Sequence, residues 1–480
     1  MKKIVALLLA FVLLLGLCAC GAAAPAGEGG ETTGASANGG FRVGYGKEDI
    51  TPEGQVAMGG YGKVSSRLST GVLSYLYTTC IAITDETDNT ILIYGMDLCG
   101  CSDAVKLIPE ISKETGVPEG NIMVSASHTH SAPSYSTPTS GSAEAYQKFE
   151  KGMIEAAKIA LEDRKPARMF GGSIETEGMN FVRHYLCNDG TYCGDNFGDS
   201  SSGYAGHASK ADPILQLIKF VREGDNDIYL TNFQTHPHQT GGSKKYDLSA
   251  DVVGEYRIAM EKALGCEVLY LSGAGGNINS RSRIAEENAT ADWRAWGVKM
   301  AEYAQKVEFT ELATGKVQAA ETEFTADINH TTDSLVSICS DLSKKWNANE
   351  ITTAELKEIA LNQYGLKLNS AYHAQAIVSR SSMANSKSFP IRAFSFGDVG
   401  LVAFPGEQFD TNGKFIKENS PFKMTIVATK ANGENGYFPS QFAFDVCGGY
   451  ECDTTKYVPG TAERLADTYV EMLTEQFNNK

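Results

Sequence analysis

The chain has 480 residues, 42% of them hydrophobic and 21% charged, the balance of an ordinary globular protein long enough for a sizeable core. Its formal charge of −16, without any long basic run, excludes a nucleic-acid partner because nothing in it neutralises phosphates. Eleven cysteines in this length are too sparse for a disulfide scaffold.

At the N-terminus Lys2 and Lys3 precede an unbroken apolar run from Ile4 to Leu17, too short to span a bilayer comfortably. Residues 1–19 therefore read as a signal peptide. Leu17-Cys18-Ala19-Cys20-Gly21 resembles the bacterial lipobox, in which a peptidase cuts before the cysteine and its thiol carries a diacylglyceryl group. Cleavage after Ala19 as an ordinary secretory signal is the alternative. The expectation is an extracytoplasmic protein, anchored by lipid to the bacterial cell membrane through Cys20. The twenty residues after Cys20 hold seven Gly and six Ala, with no Leu, Ile, Val or aromatic residue, and cannot bury enough apolar surface to fold. Residues 20–40 thus form a flexible tether reaching about 25 Å. Loss of Lys2 and Lys3 takes the formal charge from −16 to −18.

From Phe41 to Lys480 no internal repeat and no second low-complexity linker interrupts the chain, which predicts one catalytic-sized body over residues 41–480. Short β-rich runs (Ile91 to Tyr94, Met123 to Ala126, Tyr229 to Phe233) alternate with helical stretches (Tyr146 to Glu162, Ala250 to Leu264). The fold class expected is α/β (α+β), with mixed β-sheets flanked by helices. Asp341 to Asn385, rich in Lys, Glu, Ala and Leu, reads as an insertion of two helices before a return to strand at Ile391. Cys187 with Cys193, and Cys447 with Cys452, are spaced to close small loops or to stay reduced.

The chain has eight histidines, and four of them fall in two compact pairs. His128-Thr129-His130 follows the apolar run Ile122 to Ala126, and His236-Pro237-His238 follows Ile228 to Phe233. Residues i and i+2 of an extended chain share a face, so each pair can present two imidazoles together. Each pair also sits where a buried strand runs out into a loop, the usual place for an α/β ligand site. Three more apolar runs end in the same way. Val268 to Leu271 leads into the Gly-rich turn Ser272 to Asn279, Leu401 to Phe404 into Pro405-Gly406-Glu407, and Met424 to Ala428 into Asn432 to Tyr437.

The order of these pieces resembles the neutral ceramidases and the shorter bacterial proteins related to their catalytic domain. The landmarks are Asp49-Ile50-Thr51-Pro52, Met58-Gly59-Gly60-Tyr61, Ala126-Ser127-His128-Thr129-His130-Ser131, Asn232 to Pro237, Ser249-Ala250-Asp251, Gly276-Asn277-Ile278-Asn279, Phe404-Pro405-Gly406-Glu407 and Asn435-Gly436-Tyr437. The resemblance implies one zinc ion held by His128, His236, Glu407 and Tyr437. It implies hydrolysis of an amide or ester bond through a metal-activated water, with His130 and Arg183 beside the substrate and Gly60 in its binding loop. Two imidazoles and a carboxylate suit catalytic zinc, which keeps a position open for water. Where ceramidases have a serine in a GDVSP-like loop this chain has Asn279, which can hydrogen-bond a substrate oxygen but supplies no nucleophilic hydroxyl. The family's additional C-terminal β-domain is not expected here. The implied partners are a membrane, through the anchor, and a small-molecule or lipid-like amide or ester substrate. A metal- or solute-binding exported lipoprotein without catalysis is the alternative reading.

Overall fold

The computed structural model describes residues 40–61, 67–136, 138–195, 202–240 and 245–480. The expected signal peptide, the lipidation site Cys20 and the tether up to residue 39 lie outside the described residues.

The described chain builds two β-sheets stacked face to face. The larger has nine strands in the order Glu267–Ser272, Ile228–Phe233, Ile214–Arg222, Lys165–Glu175, Phe41–Asp49, Tyr77–Thr84, Thr90–Met96 and Ile122–Ala126, with Thr310–Leu312 also pairing to Lys165–Glu175. Only its two outermost pairs are parallel, Ile228–Phe233 with Glu267–Ser272 and Thr90–Met96 with Ile122–Ala126. The smaller sheet runs Val317–Asp327, Ser386–Phe396, Val399–Ala403, Met424–Ala428, and its last pair is also parallel.

Alternation along the strands sets the layers. Ile81, Ile83, Ile91 and Ile93 point into a core shared with Phe394, Leu401 and Ile426 of the smaller sheet. Their neighbours Cys80, Ala82, Leu92 and Tyr94 face the helices Ser102–Thr115 and Ser142–Glu162. A strand buried on both faces reads as a continuous apolar run, and each isoleucine removed from water contributes about 1.5–3 kcal/mol. The helices Asp251–Leu264 and Trp293–Ala304 cover the rest of the outer face, and Thr461–Asn478 packs on the far side of the smaller sheet. The result is four layers in the order helix, sheet, sheet, helix, an α/β arrangement with mixed sheets as expected.

The helical insertion is larger than its composition suggests. It opens at Asp333 instead of near 341 and holds three helices, Asp333–Asn347, Thr353–Tyr364 and Ala371–Ser381, around a small core of their own. The first turns of the first helix are Ser-rich and hold Val336, Ile338 and Cys339, which hides them from a search for Lys, Glu, Ala and Leu. The second helix starts in a capping box between Thr352 and Glu355. The return to strand comes at Ser386, earlier than Ile391. Cys187 and Cys193 face each other as thiols with their sulfurs 3.2 Å apart, and Cys447 and Cys452 are free as well.

The ends of the larger sheet come together at one place. Ser272, ending one edge strand, donates its hydroxyl to Ser127 O at 2.8 Å, just past the end of the other edge strand. The segment after Met424–Ala428 bonds to both: Thr429 N to Ser272 O at 2.8 Å, and Asn432 N to Val124 O at 3.0 Å. Three parallel pairs thus deliver their carboxyl ends to a common point, and the loops that leave those ends build the site.

Candidate metal centre

His128 stands two residues beyond the strand Ile122–Ala126 and adopts φ 67°, the left-handed region that costs a non-glycine residue about 1–2 kcal/mol. Two bonds hold it there. Its N–H donates to Leu98 O at 2.9 Å and its Nδ1 donates to Cys99 O at 2.5 Å. The second bond makes Nδ1 the donor, so Nε2 is the nitrogen turned toward Glu407 and His236. His236 follows the strand Ile228–Phe233, with Nδ1 3.3 Å from Gly275 O and 3.4 Å from Arg183 Nη1. The rings of His128 and His236 are 4.3 Å apart.

Glu407 and Tyr437 arrive from the smaller sheet as direct partners in a two-residue parallel ladder, Glu407–Gln408 beside Tyr437–Phe438. Glu407 N donates to Gly436 O at 2.9 Å. Ligand atoms of His128, His236 and Glu407 all lie within 4.8 Å of one another, and all three residues are buried. His128 Nε2 and Glu407 Oε2 face each other at 3.3 Å without forming an aligned hydrogen bond, so both buried atoms are left without a partner. Ligands about 2.0–2.1 Å from a tetrahedral ion sit about 3.3 Å apart, so this separation fits an ion between them. The donor set, two imidazole nitrogens and a carboxylate oxygen, is one that zinc takes readily.

The protonation of the cluster agrees with a place for a cation. Burial opposes a charge on His128, but the Glu407 carboxylate outweighs it and lifts the imidazole to about 10. Burial raises Glu407, yet the His128 and Lys430 cations hold it well below the usual carboxylate range. Burial, followed by the His128 charge, drives His130 and His236 well below their ordinary value, so of the three imidazoles only His128 is charged. Tyr437 is pushed well above its ordinary value, first by burial and then by Glu407.

The remaining expected site residues take these positions. His130 Nε2 lies 3.0 Å from His236 Nε2, which joins it to the cluster, and its Nδ1 is buried without a partner. Gly60 adopts φ 100°, and a Cβ there would come 2.7 Å from His130 Cβ and Cγ. What approaches Gly60 is the His130 side chain. Arg183 is buried in an ion pair, its Nη2 2.6 Å from Glu451 Oε1, 2.8 Å from Gly276 O and 3.2 Å from the Tyr437 hydroxyl. Its fork reaches Tyr437 and the loop carbonyl through Nη2 and His236 Nδ1 through Nη1, at 3.4 Å. Asn279 is buried and donates Nδ2 to the Asp195 carboxylate. Ser280, next in the chain, is tied to Gln239 Nε2 at 2.8 Å. Asn277 is a structural clamp, exchanging two hydrogen bonds with Asp410, through its side-chain carboxylate and its backbone N–H.

Several residues of the centre carry no sequence signal of their own. Lys430 lies 3.6 Å from Glu407 Oε1 and 2.6 Å from Glu434 Oε2, supplying a charge at the carboxylate oxygen that does not face His128. Glu451 bridges Arg183 and His184, at 2.6 and 2.9 Å. Cys99 brings its sulfur to 3.8 Å from His128 Nδ1. Lys430 and Glu434 both lie in the loop between Met424–Ala428 and Tyr437.

Residues 41–283 match the sequence family described as neutral/alkaline non-lysosomal ceramidase, N-terminal, which is just over half of the chain and includes Gly60, His128, His130, Arg183, His236 and Asn279. The neutral ceramidase of Pseudomonas aeruginosa is 27% identical over 195 residues, covering 38% of this chain and 28% of that protein. The alignment thus spans less than a third of that relative's length. The crystal structure of neutral ceramidase from Pseudomonas aeruginosa matches with a TM-score of 0.66 at 18% identity, over 91% of this chain and 74% of that one. A ceramidase complexed with C2 matches with a TM-score of 0.67 at 18% identity, over 92% of this chain and 76% of the other. These structural likenesses speak for the fold, and they extend it across the segment that carries Glu407 and Tyr437. With its N-terminal half matched as a family and its sheets arranged as in those structures, the chain belongs to the neutral/alkaline non-lysosomal ceramidase family.

Proposed function

We propose that the chain is a zinc-dependent hydrolase of the ceramidase type, cleaving the amide bond of a lipid-like substrate. The observation that carries this reading is the pair of buried, partnerless atoms His128 Nε2 and Glu407 Oε2, facing each other 3.3 Å apart with His236 alongside. A buried carboxylate facing an imidazole without an aligned hydrogen bond is poorly satisfied, and an ion between them would satisfy both. A divalent ion in this cradle supplies Lewis acidity, bringing the pKa of a water to about 7 and polarising a carbonyl.

The chain's own residues divide the remaining work. Burial keeps His130 neutral at pH 7, and its partnerless Nδ1 can accept and return a proton. Arg183 holds the Tyr437 hydroxyl at 3.2 Å and is itself fixed by Glu451, so Tyr437 meets the reacting centre in one orientation. Gly60 lets His130 sit this deep in the site. The family and the name of the relative complexed with C2 favour an amide with a hydrocarbon arm over other hydrolysable bonds.

Purified protein should carry about one zinc per chain, and an N-acyl amide should be hydrolysed only when the metal is present. Stoichiometric zinc with no turnover across a panel of N-acyl amides and esters would instead favour a metal-binding lipoprotein. We further propose that Cys20 carries the lipid anchor. Mass spectrometry of the mature N-terminus and membrane fractionation of a Cys20→Ala variant test this, and an unlipidated wild-type N-terminus would refute it.

A further inference from the structure

Beside the histidine cluster lies a cavity of about 510 Å³, whose lining includes Asp195, His238, Gln239, Asn279, Arg281 and Trp293. His238 joins the two spaces, since its ring lies 5.3 Å from that of His236 and 5.8 Å from that of His130. An amide presented to the metal cradle therefore has one arm in reach of this cavity. Apart from Ala291 and Trp293, every lining residue carries a polar group that can meet a polar arm of a substrate.

Two groups in the lining ask for a ligand. Asn279 is 1% exposed, and its Nδ2 donates to Asp195, an ionised carboxylate that can only accept. That bond settles which way the amide faces. Oδ1 is left as the buried acceptor, with no donor among the described residues. An unmet buried acceptor is costly, and a donor brought into the cavity removes that cost. The second group is Arg281, which is exposed and donates Nη1 to Ala291 O at 2.7 Å. Among the described residues no carboxylate pairs with it. The nearby acids are already engaged: Asp195 pairs with Arg283, and Asp292 caps the helix Trp293–Ala304 by accepting from Ala295 N at 2.9 Å.

We propose that this cavity binds the amine side of the substrate, and that this side carries both a carboxylate and a hydroxyl, as in an N-acyl amino acid such as N-acylserine. The carboxylate meets Arg281 and the hydroxyl donates to Asn279 Oδ1. In the hydrolysis, the water oxygen bonds to the acyl carbon, the C–N bond breaks and the nitrogen takes the water's proton, releasing a fatty acid and an amino acid. The assignment rests on the hydrolase reading above and names the substrate class of that same site.

The test compares N-lauroylserine, N-lauroylethanolamine and N-lauroylethylamine on the zinc-loaded protein, by kcat/KM and by calorimetric binding. The serine amide should exceed the ethanolamide, and the ethanolamide the ethylamide, each by about tenfold or more. Arg281→Gln should erase the first ratio alone and Asn279→Leu the second alone. Arg281 is exposed, so its variant keeps the test valid if the buried Asn279→Leu substitution fails to fold. Equal efficiencies on all three amides, unchanged by Arg281→Gln, would overturn the subsite while leaving the hydrolase intact. Binding of the serine amide that depends on Arg281, without turnover of any amide, would overturn the hydrolase while leaving the subsite. Failure to bind or turn over any of the three overturns the proposal.

Discussion

His128 and His236 come from the larger sheet, Glu407 and Tyr437 from the smaller one, and the two pairs are held in different ways. Each histidine leaves its own strand and is oriented by a backbone carbonyl, Cys99 O for one and Gly275 O for the other. Glu407 and Tyr437 are neighbours across one short ladder, and charged side chains orient them: Lys430 with Glu434 on one side, Arg183 with Glu451 and His184 on the other. A carbonyl orients a neutral ligand without changing its charge, whereas a cation beside a carboxylate or phenol tunes how strongly that ligand donates. If the proposed centre binds metal, the histidine half is therefore expected to decide whether metal is held, and the carboxylate half how the loaded site responds to pH.

The sharpest way to break this division is to remove a histidine. His128→Ala and His236→Ala should each lose bound metal and reduce hydrolysis to background while the four-layer fold persists, because neither ring belongs to the hydrophobic clusters that hold the sheets. Metal analysis beside circular dichroism reads the outcome, and full occupancy in either variant removes the assignment. Next in size is Gly60→Ala. The added Cβ would fall 2.7 Å from the His130 side chain, and the strained φ of 100° leaves the backbone no easy escape. His130 must shift, and a shift near 1 Å at a reacting group costs about 10²-fold in rate. Metal content should not change, so a Gly60→Ala protein that loses zinc would place His130 among the ligands.

Glu451→Gln tests the other half at one remove. The amide still accepts from Arg183 but no longer balances its charge, and loss of such an outer partner costs about 10–100-fold in metal affinity or activity. Since Glu451 acts through Arg183 and Tyr437, the expected loss is in kcat more than in bound metal. The corresponding Glu451→Asp protein, with the charge kept, should recover part of it. Equal losses in both variants would mean that Glu451 serves only to pack the buried ion pair.

How much of this was legible in the sequence follows the same division. The histidine pairs stand out because histidine is rare in this chain and because both follow unbroken apolar strands, a pattern that local reading detects. The mixed-sheet class was legible for the same reason, since strands such as Tyr77–Thr84 and Thr90–Met96 are buried on both faces. Glu407 and Tyr437 are ordinary loop residues taken singly. Their roles come from a ladder joining residues thirty positions apart, and only the resemblance to a known family singled them out. Glu451, Lys430 and Asp195 were not legible at all, since what defines each is a charge brought near by the fold. The insertion was misjudged at its start because its first helix is held by a core of its own, Cys339 and Leu342 among it, more than by helix-forming composition.

The pH dependence of metal binding separates the carboxylate half from its tyrosine. In the metal-free protein Glu407 raises His128 to about 10, so below that pH the imidazole carries a proton that zinc must displace. The sign follows: apparent zinc affinity should climb by about tenfold for each pH unit from 6 to 9, as expected for release of one proton, and level off above about 10. Tyr437, held well above its ordinary value, remains a phenol throughout this range unless the ion takes its oxygen as a phenolate. In that case a second proton leaves and the climb steepens to about a hundredfold per unit. Tyr437→Phe then restores the shallower slope if Tyr437 is a ligand, and leaves the slope untouched if the tyrosine only donates a hydrogen bond toward the substrate. A competition titration with a chromophoric chelator at four pH values, on both proteins, distinguishes these outcomes. A flat profile would show that His128 is neutral before zinc arrives, and would remove Glu407 as the group that holds its proton.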